Sequence, residues 1–194
     1  MEWTKEDKER LLSFRQTLDC DDIKLKQEIK QRLLGSKDII HVLNNKELEA
    51  QDAEPDDYFG VNIFPVYLIA DTQHNVQNFI CYETSFERVN RYSLTALKRQ
   101  TIIFYISCES KNCIDNETSL PRHDLLAALV ENLFNYEVLS CGRIRLAQSK
   151  PSITDNNYCT RTLIFECETD RNLVKTKDGT PMIINKELPI VEKD

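Results

Sequence analysis

The chain has 194 residues, of which 41% are hydrophobic and 8% aromatic, enough for one substantial domain with a buried core. Its formal net charge of −7 argues against a general DNA or RNA coat, because such proteins bind phosphates through Lys and Arg. Only 4 glycines are present, which argues against the glycine-rich loops that hold nucleotides.

The first quarter of the chain is predicted to be helical and heavily charged. The predicted helices span residues 4–19, residues 21–35 and a short segment after Ser36. Thr4 and Asp7 form a weak capping box at the start of the first helix. Gly35 ends the second, and Ser36 caps the third. Residues 1–50 are therefore predicted to form a charged helical N-terminal region, and the Asn-rich, acidic residues 44–60 are predicted to be a loop.

The middle of the chain alternates between strand-like runs and one apolar helix. The predicted strands are residues 61–69, 76–86, 92–108, 141–148 and 158–168, and the predicted helix is 121–136. The run 102–106 is apolar on both faces, which predicts a central strand covered on both sides. Pro65 restricts the first strand to an edge or a bulge. The sequence predicts an α+β core domain over residues 55–170, a mostly antiparallel sheet flanked by helices.

The last residues, 171–194, are predicted to form an extended C-terminal arm. Asp178-Gly179 is a hairpin signal. The following apolar side chains are too few to fold alone, and we expect them to dock on their own domain or on a neighbour. The contact candidates in this arm are Met182, Ile184, Leu188 and Ile190.

The 7 cysteines are predicted to be reduced thiols of a protein made in a cytoplasm. The charged N-terminus lacks a signal peptide, and no run reaches the roughly 18 apolar residues of a membrane span. Cys108 and Cys113 are loosely spaced and have no second close pair to complete a zinc site. We predict no metal, no cofactor and no membrane partner.

Three charged residues suggest an enzymatic alternative. Asp56 in a loop, with Glu109 and Lys111 after the longest strand, could hold a divalent metal as in nucleases of the PD-ExK type. Solvated charges at loop edges explain the same residues, since such short motifs recur by chance.

Two other polar groups have functional and structural interpretations. His123 beside Asp124 could pair as a base and its orienter, but an acid in a first helical turn is explained by the helix dipole. Arg143, Arg145 and Lys150 alternate along one strand. They could contact phosphate, form a solvent face, or pair with acids on a neighbouring subunit.

Three segments carry a family resemblance: Gln100–Ile106, Arg122–Leu126 and Asp155–Phe165. They resemble tail-completion proteins of tailed bacteriophages, the neck group that includes tail terminators and head-to-tail joining proteins. The resemblance covers about residues 55–170. It implies an α+β subunit that assembles as a six-fold ring in the virion, after synthesis in the host cytoplasm. The ring would cap the tail tube and join it to the head-side connector, catalyse no reaction, and let DNA pass without sequence-specific binding.

The resemblance supplies contact surfaces instead of catalytic residues. The polar loop 109–118, with Glu109, Lys111 and Asp115, is predicted to face the lumen or the tube. The same is predicted for the connection 149–157, which includes Asp155. Arg143, Arg145 and Lys150 are further interface candidates, and the C-terminal arm is expected to reach a neighbour or the tail tube. A metal-dependent nuclease and a cytosolic adaptor that binds a protein through its tail are the alternative functions.

Overall fold

A five-stranded sheet with helices packed on one face organises the protein. The computed structural model describes residues 4–13, 21–67, 78–88, 98–155, 158–169, 173–175 and 181–183. The predicted α+β class with a mostly antiparallel sheet and a helical N-terminal region is confirmed.

Five α-helices and two short 3-10 helices occur among these residues. They are α1 (Lys5–Ser13), α2 (Asp21–Gly35), α3 (Lys37–Leu43), α4 (Lys46–Ala50), α5 (Arg122–Phe134) and the 3-10 helices Pro55–Tyr58 and Ser110–Asn112. The predicted second helix is confirmed. The predicted cap of the third helix is also confirmed, because the Ser36 hydroxyl accepts from the Ile39 N–H. The prediction of a loop over 44–60 is wrong, because the Asn45 side chain caps α4 at Glu47 and Leu48.

The main sheet has the strand order β1-β2-β3-β7-β6. Its strands are β1 (Ile63–Phe64), β2 (Asn78–Arg88), β3 (Lys98–Glu109), β6 (Arg145–Asp155) and β7 (Tyr158–Thr169). Only the β1–β2 pair is parallel. Two small antiparallel pairs stand apart: β4 (Val138–Leu139) with β5 (Gly142–Arg143), and β8 (Leu173–Lys175) with β9 (Pro181–Ile183). The predicted central position of the third strand is confirmed.

The core lies between the sheet and α2, α3 and α5. Alternate residues of each strand point to the helices, so Phe104 on β3 contacts the rings of Phe134 on α5 and Phe165 on β7. Leu25 and Ile29 of α2 are fully buried in the same cluster. Residues 21–43 of the predicted helical N-terminal region therefore share one core with the sheet. None of the described helices is long and apolar enough to cross a membrane.

The second face of the sheet carries a smaller apolar cluster. Phe79 and Cys81 on β2 are buried there, with Phe64, Tyr105 and Tyr158 packed against them. The predicted cover on both faces of β3 is therefore uneven: helices lie over one face, and this aromatic cluster lies on the other.

Strand β6 lies at the end of the sheet opposite β1. It reaches Asp155, so the predicted connection 149–157 is wrong over 149–155, which belongs to this strand. Ser149–Ser152 pair with β7, and Asp155 lies opposite Tyr158 after a register shift. Pro151 lies inside β6, opposite Arg161, and the register shifts twice, between Leu146 and Gln148 and again before Asp155. The polar composition of this segment hid the strand, because most of its side chains are exposed.

The C-terminal arm is described only at β8 and β9. Their antiparallel pairing agrees with the predicted hairpin, while the Asp178-Gly179 turn lies outside the described residues. Met182 is the middle residue of β9, and the other arm candidates, Ile184, Leu188 and Ile190, also lie outside the described part of the chain.

Candidate interaction surfaces

The loop between β3 and α5, residues 110–121, is held in place by one buried arginine; we call it the anchored loop. Arg122 is 2% exposed. Its Nη1 donates to the Val42 carbonyl at the end of α3 (2.8 Å), and its Nε donates to the Asn112 carbonyl (3.1 Å). Its Nη2 lies 3.2 Å from the Asp115 carboxylate. One side chain thus ties both sides of the loop to the helix layer.

Asp115 belongs to this anchor and not to the surface. The carboxylate accepts from the hydroxyl (2.8 Å) and the N–H (2.9 Å) of Thr118, and these hydrogen bonds, with Arg122 nearby, lower the pKa of Asp115. Asp115 is 7% exposed. The prediction that Asp115 faces a lumen or tube is therefore wrong, because its carboxylate is used inside the loop.

The anchored loop presents two aliphatic side chains to solvent. Ile114 and Leu120 are each 50% exposed. The Asp115 N–H donates to the Leu120 carbonyl, and Ile114 forms a bridge with Pro121, so both residues are held on a fixed backbone. The sequence of this loop predicted a polar surface and gave no local signal for the exposed pair. Rigid aliphatic groups with a polar rim are typical of protein contacts.

The other predicted members of this surface lie where β3 passes into the anchored loop. Glu109 ends β3 and is half-buried, and Lys111 is exposed on the 3-10 helix. Glu117 lies 3.3 Å from the His41 ring, which links the outer side of the loop to α3. These charges surround the aliphatic pair.

The start of α5 connects the helix to the sheet. Pro121 is the N-cap residue of α5 and makes no side-chain capping bond. Asp124 accepts from Arg161 Nε at 2.6 Å and lies 3.4 Å from the His123 ring. Burial lowers the pKa of His123 although Asp124 opposes this effect. Asp124 lies in the first turn of α5, as the helix-dipole interpretation predicts, and it also joins α5 to β7 by an ion pair.

Three exposed cations lie at the β6 end of the sheet: Arg143, Arg145 and Lys150, here called the basic stripe. Arg143 lies on β5, so the predicted single strand is wrong for this residue. Arg145 is opposite Glu166 and Lys150 is opposite Thr162. On a regular strand these two side chains would point to opposite faces, but a bulge between them adds one residue and places both on the helix-free face. Within the described part of the chain, none of the three has an ion pair.

An acidic ridge lies at the opposite end of the sheet. It consists of six exposed acids on α4, the following turn and the first 3-10 helix: Glu47, Glu49, Asp52, Glu54, Asp56 and Asp57. The Asn45 amide donates to Asn62, and Asn62 donates to the Asn78 carbonyl, which fixes the ridge beside β1 and β2. Lys30 pairs with Asp56 at 3.5 Å. Sequence analysis named only Asp56 from this group.

The three residues of the nuclease alternative lie in different parts of the structure. Asp56 is exposed and paired with Lys30 of α2, whereas Glu109 and Lys111 lie where β3 passes into the anchored loop. Among the described residues, no three His, Cys, Asp or Glu side chains converge as a metal site requires. Asp155 ends β6, and its side chain lies outside the described atoms.

A family model matches most of the described core. Residues 36–167 match the model of the YomW family, a span that runs from the cap of α3 to near the end of β7. The name is that of a gene of Bacillus phage SPBc2 and indicates a phage-associated protein. No curated protein matches the chain.

Proposed function

We propose, from the premise that the chain belongs to the YomW family, that it is a structural protein of the phage neck. Its subunits form a six-fold ring that ends the tail tube and joins it to the head-side connector. The ring catalyses no reaction, and DNA passes through its lumen. The phage association of the family and the α+β fold support this role, which extends the resemblance of residues 55–170 to tail-completion proteins.

The observation that carries the proposal is the opposite charge at the two ends of one sheet. The basic stripe lies at the β6 end, and the acidic ridge lies at the β1 end. A ring built head to tail needs two different, complementary surfaces on each subunit. Opposite charges provide such complementarity and steer encounter between copies.

The anchored loop supplies a second kind of surface. Ile114 and Leu120 stand half-exposed on a backbone fixed by Arg122, so little entropy is lost when they bind. We propose that this pair contacts the tail tube or the connector, together with the C-terminal arm. The overall charge of −7 suits a channel past which DNA slides, since a wall of net negative charge does not hold phosphates.

The oligomeric state of the full chain tests the proposal. Native mass spectrometry and light scattering at low salt are expected to show a hexamer that weakens as salt rises, because exposed charge pairs are screened. Reversing the stripe with Arg145→Glu and Lys150→Glu should shift the protein to monomer. The double variant Lys24→Glu with Lys37→Glu reverses two exposed cations on α2 and α3, outside the stripe, and serves as the matched control.

A charge-swap experiment sharpens this test. A chain with Glu47→Lys and Glu49→Lys should also be monomeric, yet mixing it with the stripe-reversed chain should restore mixed assemblies. A full-length protein that stays monomeric at every concentration and salt would overturn the ring. Magnesium-dependent DNA cleavage lost in Glu109→Ala would favour the nuclease instead. A monomer that loses a protein partner on removal of residues 171–194 would favour the adaptor.

A further inference from the structure

Helix α2 holds the β4–β5 hairpin with two side chains. Arg32 donates to the Val138 carbonyl at 3.2 Å and pairs with Glu137 at 3.1 Å. Glu28, one turn earlier on the same helix, accepts from the Ser140 N–H at 2.7 Å. The hairpin is therefore fixed against α2 at two points.

An open groove of about 340 Å³ lies between α2 and this hairpin; we call it the hairpin groove. Its lining residues are Glu28, Gln31, Arg32, Val138, Leu139 and Ser140. Val138 is 59% exposed, so the groove has an apolar wall that faces solvent. Glu137 matches the charge of Arg32, whereas Glu28 has no ion pair within the described part of the chain. A volume near the low end of the roughly 300–1,000 Å³ of ligand sites suits a few side chains of a protein partner.

Helix α1 presents a complementary set of side chains. Lys8, Leu11 and Leu12 share one face of this helix, because residues three and four positions apart are neighbours on a helix surface. Leu11 is 47% exposed and Leu12 is 40% exposed. The other two cations of α1 pair with acids of the same helix, whereas Lys8 has no ion pair among the residues that the structure describes. This face combines an unmatched cation with two leucines, and the hairpin groove combines an unmatched anion with an apolar wall.

The length of α1 also indicates a partner. An isolated helix of fewer than about 12–15 residues is marginal in water and depends on packing of its apolar face. Helix α1 has 9 residues, and its described side chains are exposed except for the half-buried Asp7. A surface that covers Leu11 and Leu12 would supply the packing that stabilises so short a helix.

We propose that α1 of one copy docks in the hairpin groove of a second copy. Leu11 and Leu12 pack on Val138, and the Lys8 ammonium reaches the Glu28 carboxylate. The partner is a second copy, because within one chain the leucine face and the groove are both open to solvent. This inference rests on the self-association that the proposed ring also requires, but it needs neither six-fold symmetry nor the basic stripe.

A photo-crosslink in the full-length protein tests the contact directly. Unlabelled chains with Leu12→p-benzoylphenylalanine are mixed with nitrogen-15-labelled wild type, concentrated together, irradiated and digested with trypsin. We expect a link from α1 to the labelled peptide 123–143, which contains Val138 and has no internal Lys or Arg. The same probe at Ile114, a similarly exposed residue of the anchored loop, is the control and should give no link to that labelled peptide.

Paired variants test the same contact in solution by light scattering. Leu11→Asp with Leu12→Asp should raise the dissociation constant of self-association by about tenfold or more. The matched control is Ile114→Asp with Leu120→Asp, which changes two leucine-sized exposed groups on the anchored loop and should leave that constant unchanged. All four positions are exposed, so the urea midpoint of both proteins should match the wild type.

A charge swap identifies the groove as the acceptor. Lys8→Glu removes the attraction to Glu28, and Gln31→Lys places a like charge in the groove opposite Lys8, so each should weaken self-association severalfold. An equimolar mixture of the two variants should recover wild-type association, because the introduced acid of one chain then meets the introduced cation of the other.

The possible outcomes separate this inference from the ring. Oligomers without the labelled link, a link confined to the probe-carrying chain, or an unchanged dissociation constant in Leu11→Asp with Leu12→Asp would overturn the inference and leave the ring standing. A labelled link in a dimer would support the inference and overturn the six-fold ring. A chain that stays monomeric at every concentration would overturn both.

Discussion

Replacing Arg122 with Met tests the anchor of the β3–α5 loop. Met keeps the apolar stem of the side chain but removes the guanidinium, which is 2% exposed. The change removes the cationic partner of the Asp115 carboxylate and leaves the Val42 and Asn112 carbonyls without the Arg122 donor. Breaking a buried ion pair costs about 3–5 kcal/mol, and each buried acceptor left unpaired costs about 1–3 kcal/mol. These two costs overlap, so they do not add in full.

We therefore expect Arg122→Met to lower the free energy of unfolding by about 3–5 kcal/mol. With a urea slope of about 2 kcal/mol per M, the midpoint falls by roughly 1.5–2.5 M. Circular dichroism during urea titration measures it. Arg143→Met, on an exposed arginine of the basic stripe, should change stability by less than about 0.5 kcal/mol. Adding Asp115→Asn to Arg122→Met should recover part of the loss, because it removes the stranded charge. A loss below about 1 kcal/mol for Arg122→Met would refute the anchoring role.

Two further predictions concern the same region and the β5 turn. The lowered pKa of Asp115 means that its hydrogen bonds stabilise the fold fully above the ordinary value of 3.8 and lose this effect as pH falls through the folded pKa. Thr118→Val should therefore destabilise the protein at neutral pH, and its effect in urea titrations should shrink as pH falls below 3.8, whereas a pH-independent loss would contradict this. Gly142 has φ +112°, and an added Cβ would lie 3.0 Å from Cys167 Sγ. Gly142→Ala should cost about 1–3 kcal/mol in thermal unfolding, and Gly35→Ala, which meets no atom within 4 Å, should cost far less.

Local signals in the sequence predicted the elements that depend on local chemistry. Gly35 and Ser36 mark the boundary between α2 and α3 because a helix end and a cap are set by nearby residues. The alternation around Phe104 predicted a central strand for the same reason. The short helix α4 was missed, since five residues without an apolar stripe leave no periodic signal. The Asn45 side chain, which caps this helix, also donates to the distant Asn62, and no local pattern indicates that contact.

The candidate surfaces were less accessible to sequence reasoning. The exposure of Ile114 and Leu120 depends on how Arg122 holds the loop, and that side chain reaches Val42, 80 positions away. The extension of β6 through Pro151 was hidden by its polar residues.

The shape of strand β6 has a consequence for how the protein behaves when crowded. An edge strand with a regular backbone is a template on which other chains can add strands and grow into fibres. Pro151 offers no N–H at such an edge, and the two register shifts interrupt the spacing that an incoming strand would need. Copies brought close together at high concentration would therefore meet through side chains, in contacts that can dissociate and form again, and not through an irreversible extension of the sheet.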